Sequence, residues 1–204
     1  MWHFEKCAVI VAHPDDETLW AGGMMLMHPE SKWMVVTLCR ANDPDRAPRF
    51  FKALKTLNAT GVMGDLDDSP EQAPLPARQV QHTIIDLLPA GTFDLVITHG
   101  LWGEYTRHLR HEETGKAVSA LWNAGRFSAK EVWRFAYEDG SGQYPPRAVQ
   151  DADVKNRLPD GIWREKYDII TKTYGFAPDS FEAKATPHEE AFWCFKRSLR
   201  ARKA

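Results

Sequence analysis

The sequence predicts an α/β protein with a doubly wound, mostly parallel sheet and helices on both faces, as in Rossmann-like folds. Short continuous apolar runs alternate along the chain with segments of helical period, which is typical of parallel strands buried on both faces. Polar clusters follow two of these runs directly, where an open α/β sheet binds its ligands. No linker, internal repeat or low-complexity tract divides the 204 residues.

The strands are predicted where apolar and β-branched residues run without interruption. In chain order they are residues 6–12 (KCAVIVA), 32–39 (KWMVVTLC), 60–66 (TGVMGDL), 93–100 (FDLVITHG) and 130–138 (KEVWRFAYE). The third run is the weakest, because two glycines and an aspartate interrupt it.

The helices are predicted where apolar residues recur every three or four positions. In chain order they are residues 17–28, 48–58, 78–88, 111–124, 160–174 and 187–201. A proline-rich loop precedes the third helix, and residues 139–159 follow neither period. We therefore expect one domain over residues 1–204, with a less regular C-terminal part, 139–204, close to the ligand pocket.

Composition and charge exclude several classes of protein. The formal net charge is −2, which gives no electrostatic case for a nucleic-acid partner, and we assign the basic tail KRSLRARKA to a last helical turn. Cys7, Cys39 and Cys194 are too scattered for a disulfide framework. The first strand leaves no room for a signal peptide, and no apolar run approaches the roughly 20 residues of a membrane span. We expect a cytoplasmic protein, and the sequence leaves a homo-oligomer open.

The loop after the first strand lacks the motifs of nucleotide enzymes. AHPDDE stands where a dinucleotide-binding fold has GxGxxG, and neither GxxxxGK[ST] nor GxSxG occurs. Acids at Asp15, Asp16 and Glu17 suit the first turn of a helix, but a helix N-terminus disfavours the cationic form of His13. A neutral His13 beside the carboxylate of Asp16 supplies two of the ligand types that zinc prefers.

A second polar cluster, HGLWGEYTRHLRHEE, follows the strand at 93–100. It contains His99, His108 and His111, and the last two have the spacing H-x-x-H. A solvated loop with surface ion pairs explains this cluster equally well when it is taken alone. Two such clusters at the carboxyl ends of two strands instead indicate a shared site, provided that the strands are neighbours. His3, His28 and His82 have no comparable partners, so we expect them to lie outside the site, without a catalytic or metal-binding role.

The stretch VIVAHPDDETLWAGG closely resembles the signature of the PIG-L/LmbE-like zinc-dependent N-deacetylases. The resemblance covers about residues 7–124 and becomes vague beyond them. It implies hydrolysis of an N-acetyl group on an amino sugar or glycoconjugate, with Zn²⁺ as the cofactor. The ligand set also suits Fe²⁺.

The resemblance also implies roles for individual residues. The metal ligands would be His13, Asp16 and His111, Asp15 would be the general base, and His108 would be the general acid or oxyanion stabiliser. The substrate-binding residues would be Arg49, Asp68 and Tyr105.

Some positions depart from the family pattern. Arg110 stands between the two histidines in place of an aspartate, and Tyr105 is one residue farther from its histidine than usual. A cation so close to His108 should disfavour an imidazolium, and Glu112 or Glu113 would have to offset it. These departures affect the general acid and the substrate contacts more than the metal ligands.

Three functions therefore remain open: N-deacetylation of a small sugar or glycoconjugate, hydrolysis of another amide, and non-catalytic binding of a metal or sugar. Trp102 and Tyr105 would either stack on a sugar or pack within their loop. Tyr144, Trp163 and His188 lie in the C-terminal third, which we expect to close the pocket, and we expect a structural role for His188.

Overall fold

The computed structural model describes residues 3–197 and contains a seven-stranded sheet in the order β3-β2-β1-β4-β5-β9-β8. The strands of this sheet are β1 (Lys6–Val11), β2 (Lys32–Cys39), β3 (Ala59–Leu66), β4 (Thr92–Thr98), β5 (Ser128–Phe135), β8 (Val154–Arg157) and β9 (Glu189–Lys196). Strands β1 to β5 are parallel, whereas β9 runs antiparallel to both β5 and β8. A short ribbon pairs β6 (Tyr137–Glu138) with β7 (Arg147–Ala148). This architecture confirms the predicted fold class.

Helices cover both faces of the sheet. They are α1 (Asp16–Met27), α2 (Arg46–Thr56), α3 (Ala77–Leu87), α4 (Leu109–Asn123), α5 (Asp160–Asp168), a π-helical segment (Ile169–Thr173) and α6 (Phe181–Ala185). None of the helices in the described part of the chain is long and apolar enough to cross a bilayer.

Strand β1 separates two apolar cores because successive side chains of a strand point to opposite faces. Cys7, Val9 and Val11 pack with residues of α1, α2 and the π-helical segment. Ala8 and Ile10 pack on the other face with residues of α3 and α4. All five side chains are fully buried, which explains why β1 is a continuous apolar run in the sequence.

The predicted helix at 187–201 is wrong. Residues 189–196 form β9, and residues 198–201 lie outside the described part of the chain. The strand fills the gap between β5 and β8, where Ala191 and Phe192 are fully buried and Phe192 packs on Trp133. Tertiary packing therefore overrides the weak local preference of this segment.

Three other predicted elements differ in their boundaries, and two of the differences concern the polar loops. Helix α2 begins at Arg46, so Pro48 lies in its first turn, where proline is tolerated. Helix α4 begins at Leu109, so His111 is already inside the helix. The predicted strand at 130–138 is interrupted at Ala136, between β5 and β6.

The buried Glu190 of the C-terminal strand β9 joins this strand to α1 and to α5. The Glu190 carboxylate accepts the backbone N–H groups of Gly23 and Met24, each at 2.7 Å, and the Lys166 ammonium at 2.7 Å. Glu190 and Lys166 are both fully buried, and burial lowers the pKa of Lys166 even beside this carboxylate. A Cβ at Gly23 would lie 2.4 Å from a methyl carbon of Leu158 and 3.0 Å from Oε1 of Glu190, so any larger residue here would require these side chains to shift.

We expect Lys166→Met to lower the free energy of unfolding by about 3–5 kcal/mol, because it leaves the Glu190 carboxylate buried without its cation. Urea unfolding measures this loss. Lys172→Met is the control, since Lys172 pairs with Asp168 at the surface and should change stability by less than about 0.5 kcal/mol. Equal effects of the two substitutions would contradict the prediction.

Candidate metal centre and active site

The two polar clusters lie at the carboxyl ends of neighbouring strands. Strands β1 and β4 pair directly in parallel, with Ile10 opposite Thr98, at the point where the strand order reverses. Open α/β sheets bind their ligands at this position. The two loops therefore meet in space, as expected if their strands are neighbours.

Three potential ligand atoms converge between these loops. Nδ1 of His13 lies 3.1 Å from Oδ2 of Asp16 and 3.1 Å from Nε2 of His111. The same carboxylate oxygen of Asp16 lies 3.3 Å from Nε2 of His111. Tetrahedral zinc with bonds of about 2.0–2.1 Å has ligand atoms about 3.3–3.4 Å apart, so this triangle fits a divalent cation. The three residues predicted as metal ligands are thus together.

A buried carboxylate, which the sequence did not single out, orients His111. Glu104 has no exposed surface, and its Oε2 lies 2.7 Å from Nδ1 of His111 and 2.8 Å from Nδ1 of His99. Its other oxygen accepts the N–H of Gly100 at 2.9 Å. When Nδ1 of His111 donates to Glu104, its Nε2 presents a lone pair to the metal position.

The electrostatic environment keeps Glu104 ionised. Burial alone would raise the pKa of Glu104, but the electrostatic attraction of His99 and the hydrogen bonds from His111 and His99 lower it to about 2. An ionised carboxylate at Nδ1 makes the imidazole a better ligand. Glu104 could have been sought in the sequence, because a histidine that binds a metal through one ring nitrogen usually needs a hydrogen-bond acceptor for the other.

Asp68 takes the corresponding position behind His13. Its Oδ1 lies 2.9 Å from Nε2 of His13, and its Oδ2 accepts Nε and Nη2 of Arg40 at 2.8 and 2.6 Å. Although burial would raise the pKa of Asp68, the hydrogen bonds and charges of His13 and Arg40 hold it well below its usual value. Asp68, which we predicted to bind substrate, lines the pocket, and its Oδ1 contacts His13, a predicted metal ligand.

His99 is a second histidine at the site. Its Nε2 accepts the backbone N–H of Ala12 at 3.0 Å, while its Nδ1 faces Glu104. It stacks on the ring of His111 at a centroid distance of 4.0 Å. Because both ring nitrogens already have partners, His99 holds the two loops together.

Asp15 adopts an unusual backbone conformation. Its φ is +125° and its ψ is −31°, a combination that costs energy for a residue with a side chain. The carboxylate of Glu17 accepts the N–H of Asp15 at 3.0 Å and the hydroxyl of Tyr174 at 2.7 Å, and it also accepts the hydroxyl of Thr18. The fully buried Glu17 therefore stabilises this conformation of the loop through the backbone of Asp15.

The carboxylate of Asp15 faces the pocket and is less compensated than its neighbours. Burial and the adjacent Asp16 raise the pKa of Asp15 well above its usual value. The guanidinium of Arg46 partly offsets this effect, with Nη1 at 3.4 Å from Oδ2 of Asp15. In Asp16, by contrast, burial is outweighed by His111 and His99, which lower the pKa far below its usual value. The pKa values of these adjacent carboxyl groups are therefore shifted in opposite directions.

His108 lines the pocket beside the predicted ligands. Its ring stacks on that of His111 at 4.1 Å and meets that of His13 edge-on at 4.6 Å. Burial and the charges of His111 and His13 lower the pKa of His108 to about 3, which favours a neutral imidazole. Its Nδ1 is buried and meets no hydrogen-bonding partner among the described residues.

Arg110 is directed away from His108. Its buried guanidinium donates to the carbonyls of Asp67 and Ala73 and pairs with Glu113. It therefore anchors the loop between β3 and α3, and Glu113 neutralises it. The cation that replaces the expected aspartate has a structural role on the far side of the histidines.

Arg49 is not brought to the pocket. Its guanidinium pairs with Asp45 at 2.7 Å and donates to the carbonyl of Tyr174. Arg40 and Arg46 line the pocket instead. The earlier start of α2 turns Arg46 toward Asp15.

The pocket has a volume of about 160 Å³, and the C-terminal third supplies one of its walls. Phe181 of α6 packs on Tyr105 at a ring distance of 4.8 Å, and Glu182 also lines the pocket. Burial raises the pKa of Tyr105 beyond its usual range, so its hydroxyl stays protonated. His188 stacks on Trp163 at 4.0 Å, outside this group.

The fold and this geometry define an α/β protein with a candidate histidine–carboxylate metal centre at the reversal point of its sheet. Residues 8–122, more than half of the chain, match the family model described as PIG-L, GlcNAc-PI de-N-acetylase. The chain belongs to this family, which confirms the resemblance inferred from AHPDDE.

Solved structures share the fold at low sequence identity. An N,N'-diacetylchitobiose deacetylase from Pyrococcus horikoshii is 14% identical, with a TM-score of 0.67, over 95% of this chain and 84% of that chain. A deacetylase of the teicoplanin biosynthesis pathway is 15% identical, with a TM-score of 0.62, over 95% and 99%. A 4-carboxy-2-hydroxymuconate hydratase from Pseudomonas putida is 16% identical, with a TM-score of 0.59, over 95% and 98%.

One curated relative is an uncharacterized protein of Acanthamoeba polyphaga mimivirus. It is 23% identical over 124 residues, which are 54% of this chain and 55% of that protein. The match therefore spans about half the length of this curated relative.

We expect His13→Ala and His111→Ala each to abolish stoichiometric binding of Zn²⁺, because each removes one of three ligands from one cation. Metal analysis after dialysis against a weak chelator measures the bound ion. His82→Ala is the control, since His82 is exposed on α3. Full metal retention in either site variant would exclude a shared three-ligand centre.

We expect Glu104→Gln to weaken Zn²⁺ affinity by about 10- to 100-fold, because the amide removes the negative charge behind His111. Competition with a chromophoric chelator measures the dissociation constant. The exposed Glu165→Gln should retain the wild-type affinity. If Glu104→Gln also retained it, the proposed coupling through His111 would be wrong.

Proposed function

We propose that this protein is a metal-dependent hydrolase that removes the acetyl group from an N-acetylated amino sugar or glycoconjugate. The observation that carries the proposal is the triangle of His13, Asp16 and His111 beside the uncoordinated carboxylate of Asp15. Membership of the PIG-L family supports an amide hydrolase of the deacetylase type. The solved deacetylases that share its fold are consistent with a sugar substrate.

The ligand set supports zinc as the cofactor. Two imidazoles and one carboxylate form a common catalytic zinc set that leaves a position for substrate, and the same set suits Fe²⁺. A bound divalent cation here would polarise the acetyl carbonyl and acidify a water molecule. A related teicoplanin deacetylase has a solved zinc-inhibited form, so metal titrations need both stoichiometric and excess zinc.

We assign Asp15 as the general base. Its carboxylate lines the pocket next to the metal position, and its raised pKa suits a group that accepts a proton near neutral pH. Asp16 is the wrong candidate, because its low pKa and its contacts with two histidines suit a ligand. The hydrogen bond from the Asp15 N–H to Glu17 holds the base in position.

We assign His108 to the stabilisation of the oxyanion. A neutral imidazole donates a hydrogen bond to the oxygen that becomes negative when water attacks the carbonyl. The proton that Asp15 accepts from the attacking water then passes to the departing nitrogen, which completes hydrolysis to acetate and a free amine. The Tyr105 hydroxyl, which stays protonated, is a second donor at the same wall of the pocket.

Arg46 and Arg40 are the substrate-binding arginines that we propose in place of Arg49. Both line the pocket, where they can donate to hydroxyls or to an anionic group. Asp68 contacts His13 and also lines the same pocket. A pocket of about 160 Å³ favours a small acyl group such as acetyl.

Hydration of an unsaturated carboxylate is a second candidate. The observations that favour it are the two pocket arginines and the shared fold of the hydratase from Pseudomonas putida. Both reactions need an activated water, but only deacetylation releases acetate. Amides with longer acyl chains separate acetyl hydrolysis from hydrolysis of another amide.

We expect Asp15→Asn to lower kcat for acetate release from N-acetylated amino sugars by about 10²- to 10⁴-fold, because it removes the proton acceptor. Enzymatic detection of acetate, with metal content measured in parallel, provides the test. The variant should keep its bound metal.

The exposed Asp86→Asn is the matched control and should behave as wild type. Unchanged acetate release in Asp15→Asn would contradict its assignment as the base. A metal-loaded wild type that released no acetate from a broad panel of N-acetyl sugars would refute the proposed function and favour hydration or non-catalytic binding.

A further inference from the structure

We propose that a second sugar ring of the substrate binds in a cavity beside the active site, on the indole of Trp102. The cavity has a volume of about 440 Å³, and it lies between the loop at 102–107 and the segment at 137–141. The inference rests on the proposed function, because it assigns the substrate a disaccharide or larger glycoconjugate. It adds a binding subsite for a pyranose.

Trp102 is the most exposed large apolar side chain in the described part of the chain. It leaves 78% of its surface exposed, against 47% for the next residue, Phe51. Burial of a large apolar side chain stabilises the folded state, so a core position would contribute more to stability than this exposed one. Folding alone does not explain an indole at this position.

The loop that carries Trp102 is firmly attached. Both the N–H and the hydroxyl of Thr106 donate to the carboxylate of Asp139, at 2.7 and 2.8 Å. The Gly103 N–H donates to the carbonyl of Gly100 at 3.2 Å, and Gly103 has a φ of +75°. The indole is therefore held at the cavity by contacts that do not involve its own ring.

The position of the indole is also fixed from α4. The Lys116 ammonium lies 5.2 Å from the centre of the indole ring and 2.8 Å from the carboxylate of Glu112. A cation over an aromatic face is attracted to the π-electrons of the ring. Such a contact holds a ring that is otherwise surrounded by solvent.

The other lining groups suit the hydroxyls of a sugar. Glu112, Glu138, Asp139 and Arg107 are among the residues that line the cavity. Pyranose rings have an apolar C–H face and a rim of hydroxyl donors and acceptors. An aromatic face bordered by carboxylates and a guanidinium matches both features.

The cavity adjoins the active site through Tyr105, which lines both. The ring of Tyr105 lies 5.4 Å from that of His111, a predicted metal ligand. A substrate whose acetamido group reaches the metal position would extend its next ring past Tyr105 toward Trp102. The second ring of the same substrate is thus the occupant that we propose.

The kinetic test compares N-acetylglucosamine with its β-1,4-linked dimer as substrates. We expect wild type to favour the dimer in kcat/KM by about tenfold, and Trp102→Ala to lose this preference. Trp102→Phe retains an aromatic face and should retain most of the preference. The control Phe51→Ala, which removes an exposed aromatic ring on α2, should leave the preference unchanged.

A binding measurement makes the test independent of catalysis. Isothermal titration with the non-acetylated glucosamine dimer should show about tenfold weaker binding to Trp102→Ala than to wild type and Phe51→Ala. Dimer binding that depends on Trp102 in a protein without deacetylase activity would support the subsite and refute the proposed function. Acetate release without any effect of Trp102 on dimer preference or dimer binding would overturn the subsite alone.

Discussion

The pairing of β1 with β4 is the constraint on which the rest of the site depends. The strands pair from Cys7 opposite Leu95 to Ile10 opposite Thr98, and the ladder continues beyond them through side chains. The Thr98 hydroxyl donates to the carbonyl of Ile10 at 2.8 Å, and His99 accepts the N–H that follows β1 at 3.0 Å. These bonds fix one loop against the other, so His13 and a residue 98 positions away come within 3.1 Å.

This constraint also explains how buried charges divide their roles. The carboxylates of Asp16, Asp68 and Glu104 each contact histidines or an arginine directly, and the pKa of each lies below its usual value. Burial costs an unpaired carboxylate far more than a paired one. Asp15 has only the longer contact with Arg46 and a raised pKa, so it is the carboxylate in this group best suited to accept a proton.

The parallel half of the fold could be predicted because its signals are local. Strands buried on both faces must be apolar throughout, and the loops at their ends carry unusual polar clusters, so β1, β4 and the residues of AHPDDE followed from the sequence. Strand β9 could not be predicted, because Glu190 is compatible with a buried strand only when Lys166 lies opposite. Glu104 was missed because its partners become apparent only after His99 and His111 are stacked.

The C-terminal third lies beyond the family match at 8–122, yet it holds the helix that carries the site. Tyr174 donates to Glu17 at the start of α1, and Glu190 accepts two backbone N–H groups farther along that helix. Between these two contacts α1 is almost entirely buried. Tyr174 therefore contacts the Asp15 loop through Glu17, while Phe181 forms part of the pocket wall. Because one segment makes both contacts, sequence change within it can alter the loop that carries Asp15 and the wall of the pocket together.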